Sequence, residues 1–405
     1  MKRFILFLFN LLLLTNLSAQ KVELLISTDE VYEKPRMSDE QYCESWRGPS
    51  GMYVDEAKDE VNIITYRTQK EYVIRDNKII KERKIKYDFD GAPYVLKEYV
   101  FGTISNGCSL SIRKGDDKKN FIRTGSGVCF ILKKDDGYIV YYVDEDGIPG
   151  AVDTEGKIFT NKEAIAYLKK YDSEKYAESL ARAEELGLKE LFLNAEVLVW
   201  GKTYYSTLYL MTEYWKGNKD AYLFVKISDK IQYDLQGNAY QLRLSYGASS
   251  KLVVVSPDGK WIFEPLELNN YSKELTGPVH YAYATWCVGF GGNIYYMVAG
   301  NENTEVFRIR RTWGEPDFYA MAINGYTEDE YGKYVDEVLP TLSKSDLRLL
   351  RNTIFALYGV HFKSQDLSNY FDKQVWYTDE GKTSAEVQLP EHRQKLVEKI
   401  QKLEK

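Results

Sequence analysis

Between Val22 and Tyr319 the chain is cut into short runs of β-branched and aromatic residues, each bounded by residues suited to a tight turn. Val61–Tyr66, Tyr138–Val143, Ala221–Ile227, Leu252–Val255 and Asn293–Val298 are such runs. Asp90-Gly91, Asp136-Gly137, Asp146-Gly147, Gly237-Asn238, Asp258-Gly259, Gly292-Asn293 and Gly300-Asn301 punctuate them. These steps supply the positive φ that hairpin turns need. Strands this short, joined this tightly, pair antiparallel, which restricts the fold to a sandwich, a barrel or a propeller. The 34 tyrosines let many strands bury a ring while leaving its hydroxyl wet. Strand phrases around Leu208–Leu210, Leu252–Val254 and Ile294–Tyr296 recur at the roughly 40–45 residues of a four-stranded propeller blade. Gly48–Asp55 and Val255–Ile262 are loop-then-strand phrases of the same kind. The expected fold is therefore a mainly β, propeller-like domain over residues 20–335, with about six or seven blades. Another large all-β fold is the alternative. One segment breaks the rhythm. Asn161 precedes Lys162–Leu168, and Ser173 precedes Glu174–Leu186 with Gly187 behind it. These cap, helix and stop signals predict a helical hairpin inserted over 161–187.

The N-terminus reads as an address. Lys2 and Arg3 lead into Phe4–Leu14, an apolar run broken only by Asn10, and Leu17-Ser18-Ala19 offers a small residue before Gln20. That is the layout of a secretory signal peptide over residues 1–19. The run is shorter than the roughly 20 apolar residues of a membrane span. The expectation is a periplasmic or extracellular protein with no membrane span after cleavage. The remaining length suits two domains. Hydrophobic residues at 44% supply the cores, and a net charge of −6 with both signs interspersed argues against nucleic acid, which needs a basic stripe. Cys43, Cys108, Cys129 and Cys287 form an even set, which in an oxidising compartment predicts two disulfides with three possible pairings. Cys108 with Cys129, across the arms of one hairpin, is the most local choice and leaves Cys43 with Cys287. Four reduced, buried thiols are the alternative. No Cys-x-x-Cys phrase occurs, so zinc has no support.

After Leu339-Pro340 the period changes to that of helices. Leu347, Leu350, Ile354 and Tyr358 share a face, Gly359 stops that helix, Ser364 can open a short one carrying Leu367, Tyr370 and Phe371, and Pro390 starts a last helix striped by Leu396, Val397, Ile400 and Leu403. Arg351-Asn352, Phe355-Ala356, Gly359, Phe362, Leu367, Tyr370-Phe371 and Trp376-Tyr377 together resemble the YARHG domain, and residues 340–405 are expected to form such an all-α unit. The family's central arginine–histidine pair is replaced here by Leu357-Tyr358. The resemblance implies an envelope-associated module appended to other exported domains, with a cell-wall or surface-binding role and no established catalysis. Tyr370, Phe371, Trp376 and Tyr377 supply the module's core. Arg351, Tyr358, Trp376 and Tyr377 are the candidate binding residues, Arg351 being the main polar one.

Chemistry-bearing motifs are sparse. Of the three histidines, His280 alone lies in the β region, while His361 follows the Gly359 stop and His392 falls on a polar helix face. No Gly-x-Ser-x-Gly or His-Glu-x-x-His phrase occurs. Asp88–Gly91 and Asp144–Gly147 lack the further ligands of a calcium loop. Gly289–Gly292 leads into a strand, whereas a phosphate cradle needs a helix N-terminus, so it reads as a hairpin turn. Trp200, Tyr204-Tyr205, Trp215, Trp286 and Trp313 read as core rings before sugar platforms. No cofactor or metal is expected. The chain reads as an exported, non-catalytic binding protein that recognises a glycan or protein of the cell envelope. A hydrolase using two carboxylates in a propeller-face cleft is the alternative.

Overall fold

The computed structural model describes residues 22–31, 51–65, 70–84, 94–96, 98–104, 109–114, 127–135, 137–143, 148–200, 232–245, 248–256, 266–268, 286–299 and 304–405. The leader, His280, Trp215 and the Tyr204-Tyr205 pair lie outside them. So do the strand-like runs within 201–231. Up to residue 309 the strands fall into five antiparallel sheets among the described residues. Strand β1 (Val22–Thr28) comes first. β2 (Gly51–Asp55), β3 (Glu60–Thr65), β4 (Lys70–Arg75) and β5 (Lys78–Lys84) form the first up-and-down sheet. β6 (Tyr94–Leu96), β7 (Tyr99–Ile104) and β8 (Ser109–Lys114) form the second. β9 (Gly127–Lys134), β10 (Gly137–Val143) and β11 (Pro149–Asp153) form the third. β12 (Gln232–Tyr233), β13 (Ala239–Ser245), β14 (Ala248–Val255) and β15 (Leu266–Leu268) form the fourth. β16 (Trp286–Val288), β17 (Ile294–Ala299) and β18 (Thr304–Ile309) form the fifth, which β1 completes by pairing Val22 with Ile309 and Thr28 with Thr304.

The period-two alternation of strands decides how the sheets stack. On β17, Ile294 and Tyr296 enter one core with Tyr240, Leu252 and Val254 of the fourth sheet. The intervening Tyr295 and Met297 enter another core with Met52, Ile63 and Tyr72 of the first. Leu96, Phe101 and Ile112 of the second sheet likewise meet Ile131, Tyr138 and Val140 of the third. Each of these sheets thus buries apolar side chains against a neighbour in series. The first strands of successive sheets also touch: β12 against β16, β16 against β2, and β2 against β6. Turn chemistry fits the strands it joins. Asp76 and Asn77, both at positive φ, make the β4–β5 turn, the backbone that a two-residue hairpin requires. Gly289–Gly292 is a hairpin turn, with Gly289 N donating to Asn293 O at 2.8 Å.

The third sheet turns its other face to helices. α1 (Asn161–Tyr171), α2 (Ser173–Glu185) and α3 (Lys189–Leu193) bury Ala164, Leu168, Ala183 and Phe192 against Leu132, Ile139, Tyr141 and Trp200. The insertion is therefore packed and continues past residue 187. Its caps sit one residue earlier than the sequence suggests. Thr160 and Glu163 close a reciprocal capping box, which frees Asn161 Nδ2 to donate to Glu196 O at 3.1 Å. Asp172 accepts from Lys175 N and so takes the cap position in place of Ser173.

The cysteine expectation needs correction. Cys287 is a free thiol buried in the core between the fifth and first sheets, so the Cys43–Cys287 bridge is not formed. Burial pushes the thiol well above its usual range. Cys43, Cys108 and the Cys129 side chain lie outside the described residues. β8 and β9 belong to different sheets, so they are not two arms of one hairpin.

Helices follow from α4 (Phe318–Asn324) through α5 (Glu330–Val338), α6 (Lys344–Ala356), α7 (Gln365–Phe371) and α8 (Glu391–Glu404). Met321, Tyr331 and Val335 share one core with Leu350, Ile354, Leu396 and Ile400, so helical packing begins upstream of 340. A second core joins Ala356, Phe362, Leu367, Phe371 and Tyr377. Among the described residues no helix is long and apolar enough to cross a membrane.

Candidate functional site

Where the helices meet the sheets, one residue governs the geometry. Arg393 lies on the apolar stripe of α8 together with Leu396, Val397 and Ile400, and is only 1% exposed. Its Nε and Nη2 each donate to Ile323 O at 3.3 Å, at the end of α4. Nη2 also reaches Glu56 O at 3.2 Å, while Nη1 reaches Ala57 O at 3.2 Å and Tyr358 Oη at 2.6 Å. The guanidinium stacks 5.6 Å from the centre of the Tyr358 ring. A single buried cation thus ties the β2–β3 turn, α4 and the end of α6 to one another.

The same turn sends the Glu56 side chain inward. It accepts from Gly291 N and from Asn293 Nδ2, each at 3.1 Å, in the β16–β17 turn. Burial pushes its carboxyl up to about 7, against the pull of those two donors. Asn293 and Asn324 exchange amide hydrogen bonds at 2.9 and 3.1 Å, so the network runs on into α4. Arg311 N donates to Asn293 Oδ1 at 3.0 Å, and its guanidinium pairs with the buried Asp234 at 3.1 Å. These groups satisfy one another and hold the junction rigid.

In front of the junction opens a cleft of about 1130 Å³, larger than the roughly 300–1,000 Å³ of small-molecule sites. The β2–β3, β4–β5 and β6–β7 turns form one wall. Leu357–Gly359, Trp376, Thr378 and the segment leading into α8 form the other. Half-buried Tyr358, Trp376 and Phe290 present rings to it, with Tyr319 behind them, 5.0 Å from Trp376. Most of the charges in the wall are paired within the protein. Lys58 holds Asp55 at 2.7 Å and Lys382 holds Glu380 at 2.6 Å. Arg75 holds Glu60, Lys114 holds Glu98 at 3.0 Å, Arg308 holds Asp59 at 3.1 Å and Lys395 holds Glu391 at 2.9 Å. His392 also lines the cleft. Its expected place on a wet helix face is not what is found: it is half-buried, and burial together with the neighbouring Arg393 charge lowers its pKa to about 4. Among the described residues, the Thr378 Oγ1 and Arg75 Nε atoms are buried and have no hydrogen-bond partner.

Of the four binding residues named from sequence, Tyr358 and Trp376 are brought together in this cleft. Arg351 is turned away from it and pairs with Glu404 at 2.9 Å, tying α6 to α8. Tyr377 is 2% exposed and donates to Val360 O at 2.8 Å inside the second helical core. Trp376 serves both sides, because it and Val375 also pack on the core between the second and third sheets. Arg393 and Glu56 went unremarked in the sequence. An arginine at an apolar-stripe position was the available signal for the first; for Glu56 no local signal exists. His361 is exposed and pairs with Asp379 at 2.6 Å. Among the described residues no cluster of histidine, cysteine and acidic side chains could hold a metal ion.

Residues 325–405 match the family model of the YARHG domain. No curated protein matches the chain. Among solved structures, it is similar to a luciferin-regenerating enzyme at 8% identity, covering 64% of this chain and 90% of that one, with a TM-score of 0.32. It is also similar to a Bacteroides thetaiotaomicron protein of unknown function at 13% identity, covering 69% and 59%, with a TM-score of 0.29. A third likeness is to regucalcin, a calcium-binding protein of Agrobacterium tumefaciens, at 8% identity, covering 62% and 67%, with a TM-score of 0.24. The chain spans less than two thirds of the Bacteroides protein.

Proposed function

We propose that this is an exported, cell-envelope-associated binding protein of periplasmic or extracellular location. Its β region is a propeller of six or seven blades in which β1 closes the last sheet, and its YARHG domain is fixed across one side. It recognises a glycan or protein of the envelope in the cleft between the two parts, with Tyr358 and Trp376 as contact residues. Arg351 and Tyr377, occupied inside the helical unit, hold those contacts in place. The observation that carries this reading is the composite wall: neither part encloses the cleft alone, and a buried arginine fixes their relation. The leader-like N-terminus and the YARHG match support the location.

The test is co-sedimentation of residues 20–405 with purified cell-wall glycan and with envelope membrane extract, compared with the Gln388→Trp variant. Gln388 is exposed at the cleft rim, so a bulky ring there obstructs the cleft without entering a core. Retention by one fraction, lost in the variant, is the expected result. Equal retention of both proteins removes the cleft from the account. Turnover of a simple glycan or peptide, abolished by replacing one cleft acid, would instead establish the hydrolase.

A further inference from the structure

Resting on the cleft reading above, we infer that the ligand is an uncharged oligosaccharide segment. The charged side chains of the wall supply little net attraction, because they are already closed into pairs such as Lys58 with Asp55 and Lys382 with Glu380. These pairs are partly exposed, and at about 0.15 M salt their residual field fades within roughly 8 Å. An ionic ligand would have to displace one member of a pair and leave the other alone. A hydroxyl need not do so. It donates and accepts at once, and a carboxylate beside an ammonium offers it both roles with the pair intact.

The apolar part of the wall has matching chemistry. The half-buried faces of Trp376, Tyr358 and Phe290 offer flat hydrocarbon surface to the C–H face of a pyranose ring. Thr378 lines the same cleft, and among the described residues its buried hydroxyl has no partner. A space of about 1130 Å³ exceeds what one small molecule requires, which fits several linked units. His392 adds no charge at neutral pH, since burial keeps it unprotonated there.

The experiment is titration calorimetry of residues 20–405 with four hexameric ligands in 50 and 500 mM NaCl. They are N-acetylglucosamine and glucose hexamers (neutral), glucosamine hexamer (cationic) and galacturonic acid hexamer (anionic). Neutral tripeptide and hexapeptide pools serve as the protein-like probes. The expected result is binding of a neutral sugar hexamer whose Kd changes less than about 2-fold between the two salts. Gln388→Trp should weaken it at least about 10-fold, and Trp376→Phe, which keeps the packing ring, should weaken it measurably less. Tighter binding of a charged hexamer, lost at high salt yet blocked by Gln388→Trp, refutes the ligand class and leaves the cleft standing. Preferential peptide binding blocked by that variant does the same. Sugar binding that ignores Gln388→Trp refutes both readings, and no sugar binding at all refutes the inference.

Discussion

Replacing Arg393 by methionine tests whether the two parts of the molecule are mechanically one. The methionine keeps most of the aliphatic stem and its packing on α8, so the change removes chiefly the guanidinium. The buried Ile323 carbonyl then loses its side-chain donor, the Glu56 carbonyl keeps only Asp59 N, and the part-buried Ala57 carbonyl and the Tyr358 hydroxyl lose the guanidinium as well. A buried polar group left unmatched costs about 1–3 kcal/mol. Water entering from the cleft relieves the Ala57 and Tyr358 side, where Nη1 is only partly buried. Among the described residues the guanidinium touches no carboxylate there, so no orphaned counter-charge adds to the loss. The net expectation is about 2–4 kcal/mol. Urea unfolding followed by both far-ultraviolet circular dichroism and tryptophan fluorescence reads it. The wild type should give coincident transitions, while in Arg393→Met the helical signal should melt first. Tyr358→Phe, which removes one acceptor, should cost only about 0.5–1.5 kcal/mol and leave the transitions together. A loss below about 1 kcal/mol for Arg393→Met, with coincident transitions, would show that the junction is held by something else.

The Glu56 carboxyl, held at about 7 against an ordinary 4.5, stabilises the fold fully below 4.5, and that contribution is lost as pH rises through about 7. His392, lowered from 6.5 to about 4, has the opposite sign: its contribution is present above 6.5 and lost as pH falls through about 4. The difference in urea stability between wild type and Glu56→Gln should therefore shift in favour of Gln by ~1–3 kcal/mol between pH 4.5 and 8, and a flat difference would contradict the burial argument. Gly292→Ala should cost at least about 2 kcal/mol in the same assay, because φ there is 83° and an added Cβ would lie 2.6 Å from Tyr240 Oη. Cys287 should resist alkylation in the native protein and react on unfolding, as read by peptide mass mapping; native labelling at that position would refute its burial.

What the chain reveals of itself depends on how local the cause is. β10 and β17 could be read off because the β-branched and aromatic runs Tyr138–Val143 and Asn293–Val298, and the Gly292-Asn293 turn, act within a few residues. The YARHG unit was legible for the same reason, its rings recurring at helical spacing. The cap at Thr160 was overlooked since Asn161 is an equally good cap by type, and only Glu163, three residues beyond Thr160, decides between them. The role of the apolar α4 run (Phe318–Asn324) was masked by its position just behind the strands. Tyr377 and Arg351 looked available for a ligand because residue type does not say which side of a helix pair a group will occupy. Glu56 and Arg393 meet across most of the sequence, and nothing near either of them encodes that meeting.

The pairing of β1 with β18 has a consequence for how the molecule is made. Val22–Thr28 finds no strand partner among the described residues until Thr304–Ile309 has been produced. Until then the last sheet has a bare edge, and edges of that kind recruit other chains. Closure over such a sequence distance is slow. The earliest residues of the fold are thus the last to find their place, and deleting β1 should yield a product that clumps while it is being made.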